Sequence, residues 1–320
     1  MPNGGEVGDR LAKDYSSLKP RLDDLNREVR HIVERTFASS GIKIHSIVNR
    51  VKSEASVRAK LQVGQGEYGN IGLMTDLVGL RVVVLFLGDL PRIVELLSSE
   101  FDVQNRDDKV AALGEEDAFG YMSIHLDIKL KDEYCGPRYD HLKDLNCEIQ
   151  IRTLLMDAWA NVSHHLDYKG KSSIPNDLQR DFHALSGLFY VADKHFELFF
   201  AESSRSQSEA VVAVANMTDQ DLPLNLDTLE ALLNSRYRNR EEFTRREASE
   251  LVEEFSYFGF NTISSVINVL EQHTGNVVEA EALNDPGFMF TRIGFARVAL
   301  QASVGDELWS EKFNALRISD

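Results

Sequence analysis

Basic side chains cluster near residue 50 of a chain that is otherwise acidic. The 320 residues carry a formal charge of -16. Residues 43–60 nevertheless hold five lysines and arginines, opposed only by Glu54. Such cations clamp phosphates and neutralise the charge that develops during phosphoryl transfer. The cluster predicts a polyanionic partner, with a solvated helix face as the alternative interpretation.

Two further segments combine residue types that nucleotide chemistry uses. Asp76 precedes the apolar run Val78–Phe86, and Arg81 lies inside that run. A charge within an apolar strand needs a partner or a function. Tyr121 and His125 follow a glycine, and the flat ring of Tyr121 could stack on a base. Taken alone, Tyr121 could instead be a half-buried aromatic residue of a strand without a binding role.

A fourth segment alternates polar and apolar residues. Glu148, Gln150 and Arg152 would share one face of a strand because successive side chains point to opposite faces. Taken alone, this face could be a solvated sheet edge. Asp76 and Glu148 could jointly hold Mg²⁺, which proteins commonly bind with one or two carboxylates plus substrate phosphates.

The adjacent pair His164 and His165 resembles a metal-binding pair. On a helix, however, adjacent side chains point about 100° apart. We therefore interpret this pair as a helix-end feature and not as a metal site.

The elements that must position these residues alternate between helix and strand. Apolar spacing predicts helices over 9–39, from Ser53, and over 91–100, 153–168 and 177–200. Strands are predicted at 78–86, 101–104, 121–130 and 147–152. This order is typical of an α/β or α+β domain.

Composition divides the chain into two domains. We predict one domain over residues 1–203, a linker rich in Ser, Ala, Asp and Gln over 204–224, and a helical C-terminal module over 225–320. Helices in the module are predicted at 226–233, 244–258, 262–272 and 287–302. Residues 201–320 hold 10 basic and 20 acidic residues, so much of the negative charge lies there.

Several classes of protein are disfavoured. Cys135 and Cys147 have the spacing of neither a zinc site nor a redox pair. The longest apolar run, Val82–Leu87, is far shorter than the roughly 20 residues of a membrane span. The polar N-terminus has no signal-peptide core. We expect a cytoplasmic protein without membrane contact. The sequence does not indicate whether the protein is a monomer or an oligomer.

Four segments in one order carry a resemblance. The strings RVKSEASVRAK, DLVGLRVVV, GYMSIHLDI and EIQIRTLLMDAWANVSHHLDYK resemble the synthetase domain of the RelA/SpoT family across residues 25–200. The resemblance implies a nucleotidyltransferase-like mixed β-sheet flanked by helices. It also implies transfer of the β,γ-pyrophosphate of ATP to the 3′-hydroxyl of GTP or GDP, which makes (p)ppGpp.

The resemblance implies a role for each residue of the ATP half of the site. The guanidinium planes of Arg50 and Arg81 would sandwich the adenine. Lys52 and Lys60 would hold the ATP phosphates, with Ser56 nearby.

The remaining roles concern the metal and the acceptor. Asp76 and Glu148 would bind Mg²⁺, and Glu148 would also orient or deprotonate the attacking 3′-hydroxyl. Tyr121 would stack on the acceptor base. The other implied acceptor-binding residues are His125, Gln150 and Arg152.

Three departures from the family pattern leave the acceptor open. Met122 stands where arginine or glutamine is usual, and the acidic segment 115–119 stands where a lysine is frequent. Ser163 replaces a glutamate before His164. Acidic residues near the acceptor should weaken binding of a guanosine polyphosphate.

Two alternatives to a (p)ppGpp synthetase follow. One is a toxin that pyrophosphorylates the tRNA 3′ end, with the C-terminal module acting as a regulatory or antitoxin-like partner. The other is an inactive nucleotide-binding sensor, against which the full set of site residues argues. The 49 residues before Arg50 are too few for the family's hydrolase domain, so we expect synthesis alone.

Overall fold

A five-stranded mixed sheet forms the centre of the N-terminal part of the chain in this computed structural model. The structure describes residues 4–63, 71, 74–108, 123–167, 175–216 and 221–316. The sheet order is β1-β2-β5-β4-β3, with β2 and β5 parallel and the other neighbours antiparallel. The strands are β1 (Ile44–Val51), β2 (Val78–Val84), β3 (Phe101–Asp108), β4 (Ile124–Leu130) and β5 (Cys147–Thr153).

Helices flank this sheet as the sequence predicted. They are α1 (Gly4–Ala38), α2 (Glu54–Val63), α3 (Asp89–Glu100), α4 (Leu154–Asp167) and α5 (Asn176–Ala215). Helix α1 buries Leu25, Val29 and Ile32, whose spacing of three and four residues forms one helical face. This face packs in one core with alternate strand residues such as Leu80 and Ile149. The predicted mixed sheet with flanking helices is confirmed.

Alternation along the strands gives the sheet a second, polar face. Burial of Leu80, Val82, Ile149 and Ile151 against the core turns the residues between them to the opposite side. We call this second side the site face. It carries Arg81, Gln150, Arg152, Glu148 and His125.

The C-terminal part is helical and has its own core. Its helices are α6 (Leu226–Arg236), α7 (Arg245–Tyr257), α8 (Ile263–Gln272), α9 (Thr274–Ala282), α10 (Arg292–Val304) and α11 (Asp306–Leu316). Asn225, Thr244 and Thr262 form capping boxes that satisfy the first backbone N–H groups of α6, α7 and α8. The predicted helical module is confirmed, although the sequence indicated neither α9 nor α11.

The chain divides into two compact units, Met1–Leu198 and Phe199–Asp320. We predicted the first boundary at residue 203, followed by a linker. Residues 204–215 of that segment lie in helix α5, so this part of the linker is helical. Within the described ranges, no helix has both the length and the apolar character needed to cross a bilayer.

Strand β1 was missed by the sequence prediction, which assigned no helix or strand to residues 42–52. The strand lies at the sheet edge, and its burial alternates only weakly. Asn49 and Arg50 interrupt its apolar pattern. An edge strand packs on one side only, so its sequence lacks the continuous apolar run that revealed β2.

Candidate active site

Strand pairing brings four distant segments together on the site face. The register sets Arg50 opposite Gly79, and Gly79 opposite Glu148. In the next row, Arg81 lies opposite Gln150, and Gln150 opposite His125. Cross-strand partners share a face, with Cβ atoms about 5 Å apart. Because β5 lies between β2 and β4, Glu148 stands between the arginines of β1 and β2 and His125 of β4.

Asp76 lies just before β2 and contacts two lysines, Lys52 and Lys60, which we call the lysine pair. Both lysines donate to Oδ2 of Asp76, with Lys60 Nζ at 2.8 Å. Burial opposes ionisation of Asp76, but these two lysines outweigh it and hold the pKa of the carboxyl below its usual range. Oδ1 of Asp76 is buried and has no hydrogen-bond partner among the described residues.

Backbone contacts fix the position of Lys52. Its N–H donates to the carbonyl of Leu77 at 2.8 Å, and its carbonyl accepts from the Tyr15 hydroxyl at 2.6 Å. The end of β1 is therefore tied both to the segment that holds Asp76 and to helix α1. Ser56 lies in the first turn of α2 and is exposed, with its hydroxyl 2.9 Å from that of Ser53.

Both carboxylate oxygens of Glu148 have hydrogen-bond partners. Gln150 Nε2 donates to Oε2 at 2.7 Å, and His125 Nδ1 lies 3.2 Å from Oε1. Burial raises the pKa of Glu148, but the bonds from His125 and Gln150 outweigh it and lower the pKa below its usual range. The carboxyl is therefore ionised at neutral pH and available as a base or metal ligand.

Two arginines, Arg81 and Arg152, share the carboxylate of Asp157 on α4, and we call them the arginine pair. Asp157 Oδ1 lies 3.0 Å from Arg81 and 3.2 Å from Arg152. Arg152 also donates to Gln150 Oε1 at 3.0 Å. Burial and the neighbouring Arg81 lower the pKa of Arg152 to about 10, although Asp157 opposes this. Arg152 therefore remains a cation at neutral pH.

A cavity of about 510 Å³ opens beside the arginine pair. Strand residues form one wall and helix α4 forms the other. The pair His164 and His165 lies in the last turn of α4, as predicted, and also lines this cavity. Its lining residues are Arg50, Arg81, Gln150, Arg152, Ala160, Asn161, His164 and His165.

The structure thus unites most of the predicted site and adds residues from α4. Gln150 and Arg152, which the resemblance assigned to the acceptor, line the same cavity as Arg50 and Arg81. Tyr121 lies outside the described residues. Asp157 and Asn161 were not predicted as site residues, although their four-residue spacing places them on one helical face. No cluster of three or more metal-binding side chains occurs in the described part of the chain.

Comparison with known proteins finds a family and relatives that match part of this chain. The region found in RelA / SpoT proteins matches residues 49–173. GTP pyrophosphokinase YjbM of Bacillus subtilis (strain 168) is 34% identical over 151 residues, which cover 45% of this chain and 68% of that protein. The chain belongs to the RelA/SpoT family. The resemblance inferred from the four segments is therefore confirmed.

Other proteins are similar to part of this RelA/SpoT protein. GTP pyrophosphokinase YwaC of Bacillus subtilis (strain 168) is 29% identical over 120 residues, which cover 37% of this chain and 54% of that protein. The crystal structure of small alarmone synthetase 1 from Bacillus subtilis covers 62% of this chain and 99% of its own, at 26% identity and a TM-score of 0.49. All predicted site residues lie within the matched RelA/SpoT region.

Proposed function

We propose that this protein is an ATP-dependent pyrophosphokinase that acts on the 3′-hydroxyl of GTP or GDP and makes (p)ppGpp. One observation carries the proposal: the ionised carboxylate of Asp76 contacts the lysine pair, and the ionised carboxylate of Glu148 lies on the same sheet face as the arginine pair. Two relatives with the matching region are named GTP pyrophosphokinases, which supports the acceptor.

The proposed reaction is a displacement at the β-phosphorus of ATP. The 3′-oxygen of the acceptor forms a bond to this phosphorus, and the bond from the phosphorus to the α,β-bridging oxygen breaks. AMP leaves with the bridging oxygen and its electron pair, while the 3′-proton passes to Glu148. Such transfers depend on positioning and on neutralising charge at the phosphates.

The lysine pair is suited to hold the transferred phosphates. Both ammonium groups donate to Asp76, Lys60 at 2.8 Å, and both side chains are partly exposed. A triphosphate offers more negative charge than one carboxylate, so ATP should draw the two lysines toward itself. Asp76 would then lose its donors and become an open ligand.

The donor set around Asp76 fits Mg²⁺. Oδ1 of Asp76 is a buried acceptor without a donor among the described residues, which is how a carboxylate oxygen looks when its partner is a cation. Mg²⁺ needs only one or two protein carboxylates when substrate phosphates complete its shell. Asp76 and Glu148 would hold it, and it would supply charge neutralisation at the β- and γ-phosphates.

The cavity beside the arginine pair is suited to the adenine of ATP. Arg50 and Arg81 occupy adjacent strands on one face, and planar guanidinium groups stack well on flat rings. Asp157 fixes Arg81 by an ion pair at 3.0 Å, which reduces the entropy lost on binding. The lysine pair, which also belongs to this side of the site, would then receive the phosphates.

A second acceptor, the tRNA 3′ end, is favoured by carboxylates on the other half of the site face. Asp127 on β4 lies directly opposite Glu148, and Asp107 on β3 lies opposite His125. Acidic side chains repel a 5′-triphosphate more than a phosphodiester that carries one charge. A tRNA 3′ end would therefore meet less repulsion here than GTP.

Labelled ATP distinguishes these functions. With γ-labelled ATP, we expect the label on GTP or GDP; with α-labelled ATP, we expect it in AMP, because pyrophosphate moves as one unit. Labelled tRNA without labelled guanosine nucleotide would support the toxin activity. ADP from α-labelled ATP would indicate transfer of one phosphate only. Binding without any product would instead support a sensor, and the Glu148→Gln protein serves as the inactive control.

A further inference from the structure

A line of three side chains leads from the interior of the sheet to Glu148. The Ser123 hydroxyl oxygen lies 2.8 Å from Nε2 of His125, and the other ring nitrogen, Nδ1, lies 3.2 Å from Oε1 of Glu148. Ser123 is fully buried, at 0% exposure. Residues 123 and 125 share one side of the chain at the start of β4 because their spacing is two.

The proposed role of Glu148 as proton acceptor sets the direction of these bonds. A carboxylate that is to receive a proton only accepts hydrogen bonds, so the Nδ1 atom that lies 3.2 Å from Oε1 must carry the hydrogen that faces Glu148. In the neutral ring, Nε2 is then an acceptor, and the buried Ser123 hydroxyl donates to it. Ser123 therefore selects the tautomer that can bind Glu148.

Gln150 completes the restraint from the other side. It donates to Oε2 at 2.7 Å, so each oxygen of Glu148 faces a donor among the described residues, and a carboxylate oxygen can accept more than one hydrogen bond. A glutamate side chain otherwise rotates about three bonds. Two donors on opposite oxygens fix the plane of the carboxylate.

We infer that Ser123 and His125 are positioning residues, which hold Glu148 in the orientation that receives the 3′-proton. His125 thus acts through Glu148 and does not contact the acceptor, in contrast to the role implied by the family resemblance. The inference rests on the proposed function, because it takes Glu148 as the proton acceptor. His125 itself neither gains nor loses a proton in the transfer.

Two amide substitutions of His125 separate the roles of its ring nitrogens. The amide N–H of asparagine can replace Nδ1–H toward Glu148, whereas glutamine places its amide near the Nε2 position. We expect His125→Asn to keep kcat within about threefold of the wild type. His125→Gln and Ser123→Ala should lower kcat about 10- to 100-fold, the usual effect of removing a residue that orients a catalytic side chain. KM values for ATP and acceptor should change by less than about twofold, since neither residue binds substrate.

His141→Asn is the matched control. This exposed histidine also faces a carboxylate, that of Asp24 at 3.4 Å, but lies outside the site. It should leave kcat and both KM values unchanged. Equal activity of His125→Asn and His125→Gln, or a raised acceptor KM with normal kcat, would overturn the inference in favour of direct acceptor binding.

Nitrogen NMR provides a test that needs no turnover. The wild type and His125→Asn are both labelled at their histidine ring nitrogens. Signals that occur in the wild-type spectrum and are absent from that of the variant belong to His125. We expect the Nδ1–H tautomer at pH 8 in the wild type and its loss in Ser123→Ala. An Nε2–H tautomer in the wild type would refute the inference even if the enzyme is active. If no acceptor is modified, the proposed function fails. The tautomer of His125 still shows whether Ser123 and His125 orient Glu148 as inferred.

Discussion

Replacing Asp193 by asparagine should stabilise the catalytic unit at neutral pH. Asp193 lies on helix α5, is 2% exposed, and accepts a hydrogen bond from Thr153 Oγ1 at 2.5 Å. Burial raises the pKa of Asp193 to about 6, although the Thr153 bond lowers it in part. The buried carboxyl thus ionises within the physiological range and at a cost to folding.

The magnitude follows from the difference between the folded and unfolded states. The pKa is about 6 in the folded unit and about 3.9 in an unfolded chain, and each unit is worth about 1.4 kcal/mol, so the total is about 3 kcal/mol. Because the folded pKa is the higher one, this contribution is complete below about pH 4 and is lost as the pH rises through 6. Asparagine cannot ionise and still accepts a hydrogen bond from Thr153. The variant therefore keeps its stability as the pH rises through 6.

Urea unfolding at pH 4.5 and pH 8 measures the effect. Trp159 packs against Phe182 of α5 with ring centroids 4.3 Å apart, so its fluorescence reports on this unit. Both proteins should carry Trp309→Phe, which removes the other tryptophan of the chain. The free energy of unfolding of Asp193→Asn, relative to that of the protein with Asp193, should increase by about 2 kcal/mol from pH 4.5 to pH 8. The exposed Asp181→Asn is the control, and an advantage that does not change with pH would refute the reasoning.

Three other predictions concern the proposed activity. Asp76→Asn and Glu148→Gln should abolish transfer while leaving the circular dichroism unchanged; normal turnover would remove the substituted carboxylate from the mechanism. Tyr121→Ala should raise the half-saturating acceptor concentration about 5- to 150-fold through loss of a stack worth roughly 1–3 kcal/mol, and weaker ATP binding instead would contradict its assignment to the acceptor. Truncation after Ala215 should flatten the salt dependence of ATP binding if the acidic C-terminal unit acts on the cationic site. An identical salt profile for the shortened and full chains would reject that regulatory role.

The fold was predictable from the sequence where burial leaves a periodic pattern. The run at Val78–Val84 predicted a buried strand because several β-branched residues stand together there. Helix α5 was predicted, but the predicted helix ends at residue 200, which is 15 residues before the observed end. The later turns were missed because they are rich in serine and mostly exposed. Local composition does not distinguish such a mostly polar helical segment from a linker.

The site was predictable in its residue types but not in its contacts. The segment from Glu148 to Arg152 indicated a polar strand face by alternation alone. Its position between β2 and β4 depends on strand order, which the sequence does not encode locally. The bond from Thr153 to Asp193 joins residues 40 positions apart and required the packing of α5. The cavity role of His165 likewise depends on how α4 lies against the sheet.

The distribution of ion pairs explains how an acidic protein can offer a site for polyanions. The lysine pair shares the single carboxylate of Asp76, and the arginine pair shares that of Asp157. In each group of three, a carboxylate lies between two cations, so charges that are wholly or partly buried avoid the large cost of an isolated ion. A uniform charge of -16 would repel ATP, but interactions within about 8 Å dominate at physiological salt. The charges close to a ligand therefore affect its binding more than the total charge of the chain does.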